Sequence, residues 1–207
     1  MIRKTRFFSV WLVLAAGLAL HGMTAQAADR RYRVVENWAQ FPPGVTKWGS
    51  ATGVDVDRND NVYVLHRNET MPIMVFDRNG KFVQWWGGKG TGPGQFDVPH
   101  SIAVDSKGRI YVADRSNNRI QIFDPAGRFL TQWTNFGTPW GLFIKGDRIY
   151  VVDGTANNCL LIASIKDGKI LEKIEGLNNA TAVTVDSKGT IYVGEVNGTN
   201  VKKLVRQ

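Results

Sequence analysis

Eight side chains with chemical capability stand at recurring places in the chain: His66 and Arg67, His100, Asp114 and Arg115, Trp140, Asp153, and Glu195. Two guanidinium groups suit an anionic ligand, because each planar fork can hold both oxygens of a carboxylate. Imidazole at His66 or His100 can move a proton or hold a metal near neutral pH, and Trp140 can stack on a ligand or plug a narrow channel. Each also has a plainer use. Arg115 can pair with Asp114 or Asp153, an ion pair of small value at a surface, and His100 after Pro99 can be a hydrogen-bonded turn residue. Which use applies depends on what brings residues so far apart in the chain together.

The positioning element is a repeat. The segments beginning at Gly53, Ser101, Gly141 and Ala182 align, with Tyr63, Tyr111, Tyr150 and Tyr192 in one column at intervals of 48, 39 and 42 residues. Each copy breaks into short β-branched or aromatic runs separated by Asp, Asn, Gly and Lys turns, the pattern of strands in a meander. In the second copy the runs are 102–104, 110–113, 119–123 and 128–133. No long segment after residue 27 keeps the apolar spacing of a helix. Repeats of about 40 to 45 residues with four strands each indicate propeller blades. The expected fold is therefore all-β, a propeller of four four-stranded blades. The fourth copy stops after its third strand, and Arg31–Trp38 has the apolar-to-Trp spacing that ends the outer strands at Trp86 and Trp133. That predicts a ring closed by the N-terminal strand pairing with 201–205; an open arc of a larger ring is the alternative. The residues before each first strand (Thr52, His100, Trp140, Thr181) and after each second strand then share one rim.

The ends and the composition bound the setting. Arg3, Lys4 and Arg6, an apolar run from Phe7 to Leu20, and Ala25-Gln26-Ala27 read as an export signal over residues 1–27, with the propeller domain over 28–207. That predicts a secreted or periplasmic protein without a stable membrane span. The formal charge of +8 falls to +5 without the leader; no block of five or six Lys/Arg points to nucleic acid. The single Cys159 lies in an apolar run and reads as a small core residue. The glycine-rich Gly87–Gly94 lacks the Gly-Lys-Ser/Thr ending of a phosphate loop. The expected partners are an anionic small molecule, a peptide or an envelope protein. Oligomeric state is not legible.

The stretch 99–133, with "PHSIAVDSKGRIYVADRSNNRIQIFD" at its start, resembles an NHL repeat, the unit of mostly six-bladed propellers. Within that family the chain is similar to peptidyl-α-hydroxyglycine α-amidating lyases, through Pro99-His100, Asp114-Arg115 and His66-Arg67. The resemblance implies a zinc ligand at His100, with Arg67 and Arg115 holding the substrate's carboxylate and hydroxyglycine. It also admits calcium on the ring axis. The departures are specific: the family's three metal-binding histidines are matched once, with Thr52, Trp140 and Thr181 elsewhere, and its Asp-Gly-Tyr reads Asp153-Gly154-Thr155. A catalytic zinc normally needs three protein ligands. The sequence therefore favours an anion-binding or partner-binding propeller with no cofactor over a working lyase, with a structural platform of the cell envelope as a further alternative.

Overall fold

Hairpin geometry follows from the turns. In the computed structural model, which describes residues 32–206, Asp105 opens a four-residue turn in which the Gly108 N–H donates to the Asp105 carbonyl. The Asp105 carboxylate meanwhile accepts from the Lys107 and Arg109 N–H groups. Gly108 sits at φ 79°, a left-handed conformation that glycine adopts without strain. The same device recurs at Asp77 to Gly80, Asp124 to Gly127 and Asp186 to Gly189.

These turns yield four antiparallel blades. Blade 1 comprises β1 (Ala51–Val56), β2 (Val62–His66), β3 (Ile73–Phe76) and β4 (Phe82–Trp86); a loop with the short pair β5 (Gly88–Lys89) and β6 (Gln95–Phe96) follows. Blade 2 comprises β7 (Pro99–Val104), β8 (Ile110–Asp114), β9 (Arg119–Phe123) and β10 (Phe129–Trp133). Blade 3 comprises β11 (Pro139–Lys145), β12 (Arg148–Asp153), β13 (Cys159–Ser164) and β14 (Ile170–Ile174). Blade 4 has three strands, β15 (Ala180–Val185), β16 (Ile191–Glu195) and β17 (Asn200–Leu204). No α-helix occurs among the described residues.

Strand alternation sends odd and even side chains to opposite blade faces, and successive faces interlock. Tyr63, Leu65, Ile73 and Val75 meet Ile102, Ile110, Val112 and Phe123 between blades 1 and 2. Tyr111 and Ala113 meet Leu142, Ile149 and Val151 between blades 2 and 3, with the free thiol of Cys159 buried among them. Tyr150 and Val152 meet Val185, Ile191 and Val193 between blades 3 and 4. Each large side chain fully buried here contributes on the order of 1.5–3 kcal/mol. The outer-strand tryptophans lock the junctions: Trp86 lies against Gly127 and Trp133 against Gly168, each so close that an added Cβ would come within 2.8 Å of the indole.

The ring does not close as expected. Inner strand β1 packs on β7, β7 on β11 and β11 on β15, whereas no comparable packing joins β15 to β1. Residues 32–38 form no strand, and the sheet of β15, β16 and β17 has three strands. Arg31 and the expected leader at 1–27 lie outside the described residues. Trp38 lies against Gly80 of blade 1 chiefly through its backbone carbonyl, and its side chain, with Phe41 and Trp48, covers the outward side of Met74 and Phe76. The segment from Trp38 to Trp48 therefore shields the first blade, and the four blades form an open arc.

Candidate functional site

The rim is built by a repeated irregularity. In every blade the first strand carries one extra residue opposite the end of the second. Ala51 pairs with His66 and Gly53 with Leu65, so Thr52 bulges out. His100, Trp140 and Thr181 are the equivalent extra residues of blades 2, 3 and 4. A bulge of this kind re-aims a side chain, and it explains why this column was legible as a rim. Thr52 spends its hydroxyl on the Pro99 carbonyl at 3.1 Å.

His100 and Trp140 come together across the junction of blades 2 and 3, with ring centroids 4.9 Å apart. The His100 Nδ1 lies 3.0 Å from the Trp140 carbonyl oxygen. A carbonyl only accepts, so Nδ1 carries the proton and Nε2 keeps a free lone pair. Arg115, the first residue of a single 3-10 turn after β8, places its guanidinium carbon 3.9 Å from the Trp140 ring centroid. This is a cation–π stack. The ring also covers Gly154, where an added Cβ would meet indole atoms at 3.0 Å. Gly154 occupies the column of Arg67 and Arg115, so the missing side chain there is what lets Trp140 lie flat.

Burial holds the Arg115 pKa below its usual value, and the positive charge of Arg67 adds to the effect. For His100 burial is again the main cause of a lowered pKa, opposed by the Trp140 carbonyl and reinforced by Arg115 and Arg67. Four of the expected residues, Arg67, His100, Arg115 and Trp140, thus share one electrostatic neighbourhood. Among the described residues neither Arg67 nor Arg115 has a carboxylate within ion-pair distance. Beside Arg67, between blades 1 and 2, opens a cavity of about 150 Å³ lined by Asn68, Glu69, Pro72, Lys89, Phe96 and Pro99. Val98 at its edge is held at φ 47°, a strained conformation for a β-branched residue.

The other four expected site residues are occupied elsewhere. Asp114 is fully buried; it accepts from the Asp97 N–H at 2.8 Å and pairs with Arg119 at 2.7 Å, with Asn117 and Gln121 completing its shell. Glu195 accepts from the Asn178 N–H and pairs with Lys202 at 3.0 Å. Asp153 accepts from the Thr155 and Ala156 N–H groups and the Asn157 amide. His66 Nδ1 accepts from the Gly49 N–H at 3.1 Å, with Trp48 edge-on to its ring. In blades 1, 2 and 4 the residue ending the second strand therefore clamps the loop that leads into its own blade. Arg119 and Gln121, which complete the clamp in blade 2, were not picked out from the sequence. Their signal was pairing, since they stand opposite Asp114 and Val112 of β8, on the face of β9 that carries Phe123.

A metal of the kind implied by the lyase resemblance does not fit these residues. His100 alone directs a free donor to the rim, and His66, Asp114, Asp153 and Glu195 have committed theirs to backbone and side-chain partners. Among the described residues no group of three or more His, Cys, Asp or Glu is arranged to hold a metal.

Comparison with known proteins accords with this architecture. The NHL repeat family matches residues 96–123. NHL repeat-containing protein 3 of Homo sapiens is 32% identical over 70% of this chain and 50% of its own length. Peptidyl-glycine alpha-amidating monooxygenase B of Xenopus laevis is 28% identical over 90% of this chain and 24% of its own. The chain thus spans about half the length of the first of these relatives and a quarter of the second. Among solved structures, the computationally designed Ika4 protein superposes with a TM-score of 0.60 at 12% identity, covering 83% of this chain and 98% of that one. The chain therefore carries an NHL repeat in the second of four propeller-type blades and is similar to these NHL-repeat and amidating relatives.

Proposed function

We propose that the rim binds the carboxylate of a small ligand or of a peptide C-terminus. The observation that carries this reading is the pair of guanidinium groups, Arg67 and Arg115, near enough for the charge of Arg67 to help lower the Arg115 pKa and without an acidic partner among the described residues. Two like charges in one place cost free energy that a bound anion recovers. Arg115 is held over Trp140 and keeps its fork oriented; His100 Nε2 can accept a hydrogen bond from an amide or hydroxyl next to the carboxylate. The cavity beside Arg67, with Pro72, Phe96 and Pro99 in its wall, suits an apolar group on the same ligand. In this reading the protein acts after export, residues 1–27 serving as its leader, and a partner protein presenting its C-terminus would use the same two arginines.

Calorimetric titration with tripeptides ending in a free carboxylate, set against their C-terminal amides, tests the proposal. Binding of the acids, failure of the amides, and loss of binding in an Arg67→Ala, Arg115→Ala double variant are expected. Equal affinity for acid and amide would overturn it.

A lyase-like activity is the second reading, favoured by similarity to the Xenopus laevis amidating monooxygenase over most of the chain. It would cleave a peptidyl α-hydroxyglycine to a peptide amide and glyoxylate. The rim offers a carboxylate clamp for such a substrate but no metal set. Glyoxylate release from a peptidyl α-hydroxyglycine, with and without added zinc, is expected to stay at background.

A further inference from the structure

The junction between blades 1 and 2 is built differently from the others. Its link runs from Gly87 to Val98, whereas the links that follow blades 2 and 3 run only over 134–138 and 175–179. A buried cation holds the longer loop in place. Arg119, besides its ion pair with Asp114, donates to the carbonyls of Thr91, Gly92 and Gln95 at 2.7, 2.9 and 2.9 Å. The Asn117 amide donates to that of Gly90 at 2.9 Å. The walls raised by this loop are therefore fixed before any ligand arrives, which spares the cost of ordering them on binding.

The cavity of about 150 Å³ beside Arg67 lies in this junction. Its apolar lining comes from Pro72, Phe96 and Pro99, all buried. Two glycines shape the space. At Gly87, φ 99°, an added Cβ would come within 2.7 Å of both Phe96 and Pro72, so the chain passes here only without a side chain. At Gly88 an added Cβ would meet nothing nearer than the Glu69 carbonyl oxygen at 3.7 Å, so the volume in front of it is open. The acids of the wall are answered by Lys89. Glu69 pairs with it at 2.6 Å, and the hydrogen bond and charge of Glu69, with a smaller contribution from Asp97, raise the Lys89 pKa. A charged group entering between the apolar walls gives up its water, whereas a cavity of this size holds one benzene-sized apolar group.

Arg67 belongs to the cavity and to the rim at once, since it lines the former and its charge is felt by both Arg115 and His100. A carboxylate seated on its guanidinium brings the adjoining carbon, and whatever that carbon carries, to the cavity mouth. We infer that the ligand is a peptide whose C-terminal residue has an apolar side chain of leucine or phenylalanine size, with its carboxylate on Arg67 and Arg115 and that side chain in the cavity between blades 1 and 2. This assignment rests on the carboxylate reading of the rim and adds to it the identity of the terminal residue. Glycine and α-hydroxyglycine leave the cavity unfilled, so the chain selects against the group on which a lyase of the amidating type acts.

Calorimetric titration of the purified chain with acetylated tripeptide acids that differ only in the last residue, Gly, Leu, Phe, Lys or Asp, tests the assignment. Leu and Phe are expected to bind about 10- to 100-fold more tightly than Gly, and Lys and Asp no more tightly than Gly. Gly88→Leu fills the cavity from a position where a Cβ has room, and is expected to bring the ratio of Leu to Gly affinities near one while the melting temperature holds. Acids that all bind alike, yet better than their amides, overturn the terminal-residue assignment and leave the carboxylate reading standing. Acids that bind no better than amides overturn both. A preference for Lys gives the cavity to the Asp97 carboxylate and overturns an apolar occupant, as does a preference for Leu that survives Gly88→Leu. The peptide series on the unaltered chain is decisive even where that variant fails to fold.

Discussion

Asp114 and Arg115 are neighbours in sequence, both charged, both at the end of β8, and they serve opposite ends. Asp114 continues the alternation of Ile110 and Val112 into the junction with blade 1, where it is fully buried and accepts from Asp97, Asn117, Arg119 and Gln121. Arg115 begins the next turn, leaves the strand and lies on Trp140 at the rim. The same division holds at His66 and Arg67 in blade 1. One residue of each pair belongs to the fold and the other stands at the rim without an acidic partner among the described residues, so charge alone does not tell the two apart; the parity of the strand decides.

The sharpest way to break this comparison is to remove the buried member. Asp114→Ala leaves Arg119 charged and buried, and strips the Asp97 N–H of its acceptor. Removing one partner of a buried pair costs about 3–5 kcal/mol, so chemical denaturation is expected to show a loss of that size. Asp114→Asn, which keeps acceptor capacity, should lose less. A surface-like loss under 1 kcal/mol for the alanine variant would mean that Asp114 is not the clamp described.

Arg115→Ala should do the reverse. The side chain touches one ring and no carboxylate among the described residues, so unfolding is expected to shift by less than about 0.5 kcal/mol. Affinity for a carboxylate ligand should fall by about 10- to 100-fold, the equivalent of about 1.5–3 kcal/mol for a hydrogen bond to a charged group. Calorimetry and denaturation on the same preparation read both quantities.

This contrast also explains what the sequence made legible. The tyrosine column, the turns and the rim column followed from period and spacing, whereas the same spacing at Trp38 did not yield the outer strand it predicted. The eight candidate residues did not separate, because they were read by their place before or after a strand and not by the face on which they stood. Alternation along Ile110-Val112-Asp114 and Ile191-Val193-Glu195 carried that information. Closure of the ring was illegible for a different reason. The repeat fixes strands within a blade, whereas the rotation from one blade to the next is set by packing at the junction, and no periodicity in the chain reports it.

His66 tests whether the clamp in blade 1 resembles those made by acids. Burial lowers its pKa from the ordinary 6.5, with the Met71 carbonyl opposing, and its Nδ1 must stay unprotonated to accept from Gly49. A depressed folded-state pKa means that the unfolded chain binds the proton more readily. Stability is therefore complete above about pH 6.5 and falls as pH drops through the folded value, by at most about 1.4 kcal/mol per pH unit for one proton. Melting temperature against pH from 8 to 5 is expected to decline below 6.5, and His66→Asn, which offers an amide oxygen in place of Nδ1, should flatten part of that decline. His100, also lowered, contributes to the remainder.

The smallest expected effect concerns the backbone beside the rim. Val98 at φ 47° precedes Pro99 and His100, and its counterpart two residues before the bulge in blade 4 is Asn179 at φ 49°. Asparagine tolerates this region because its short side chain can hydrogen-bond locally, while a branched Cβ crowds the neighbouring backbone. If the strain is merely tolerated by the fold, Val98→Asn is expected to stabilise the protein by about 1 kcal/mol, with ligand affinity unchanged. If valine is kept because its branched side chain walls the cavity next to Arg67, the same substitution should raise stability and weaken carboxylate binding together. The second outcome would extend the rim site into the junction between blades 1 and 2, and the first would confine it to the stack of Arg115 on Trp140.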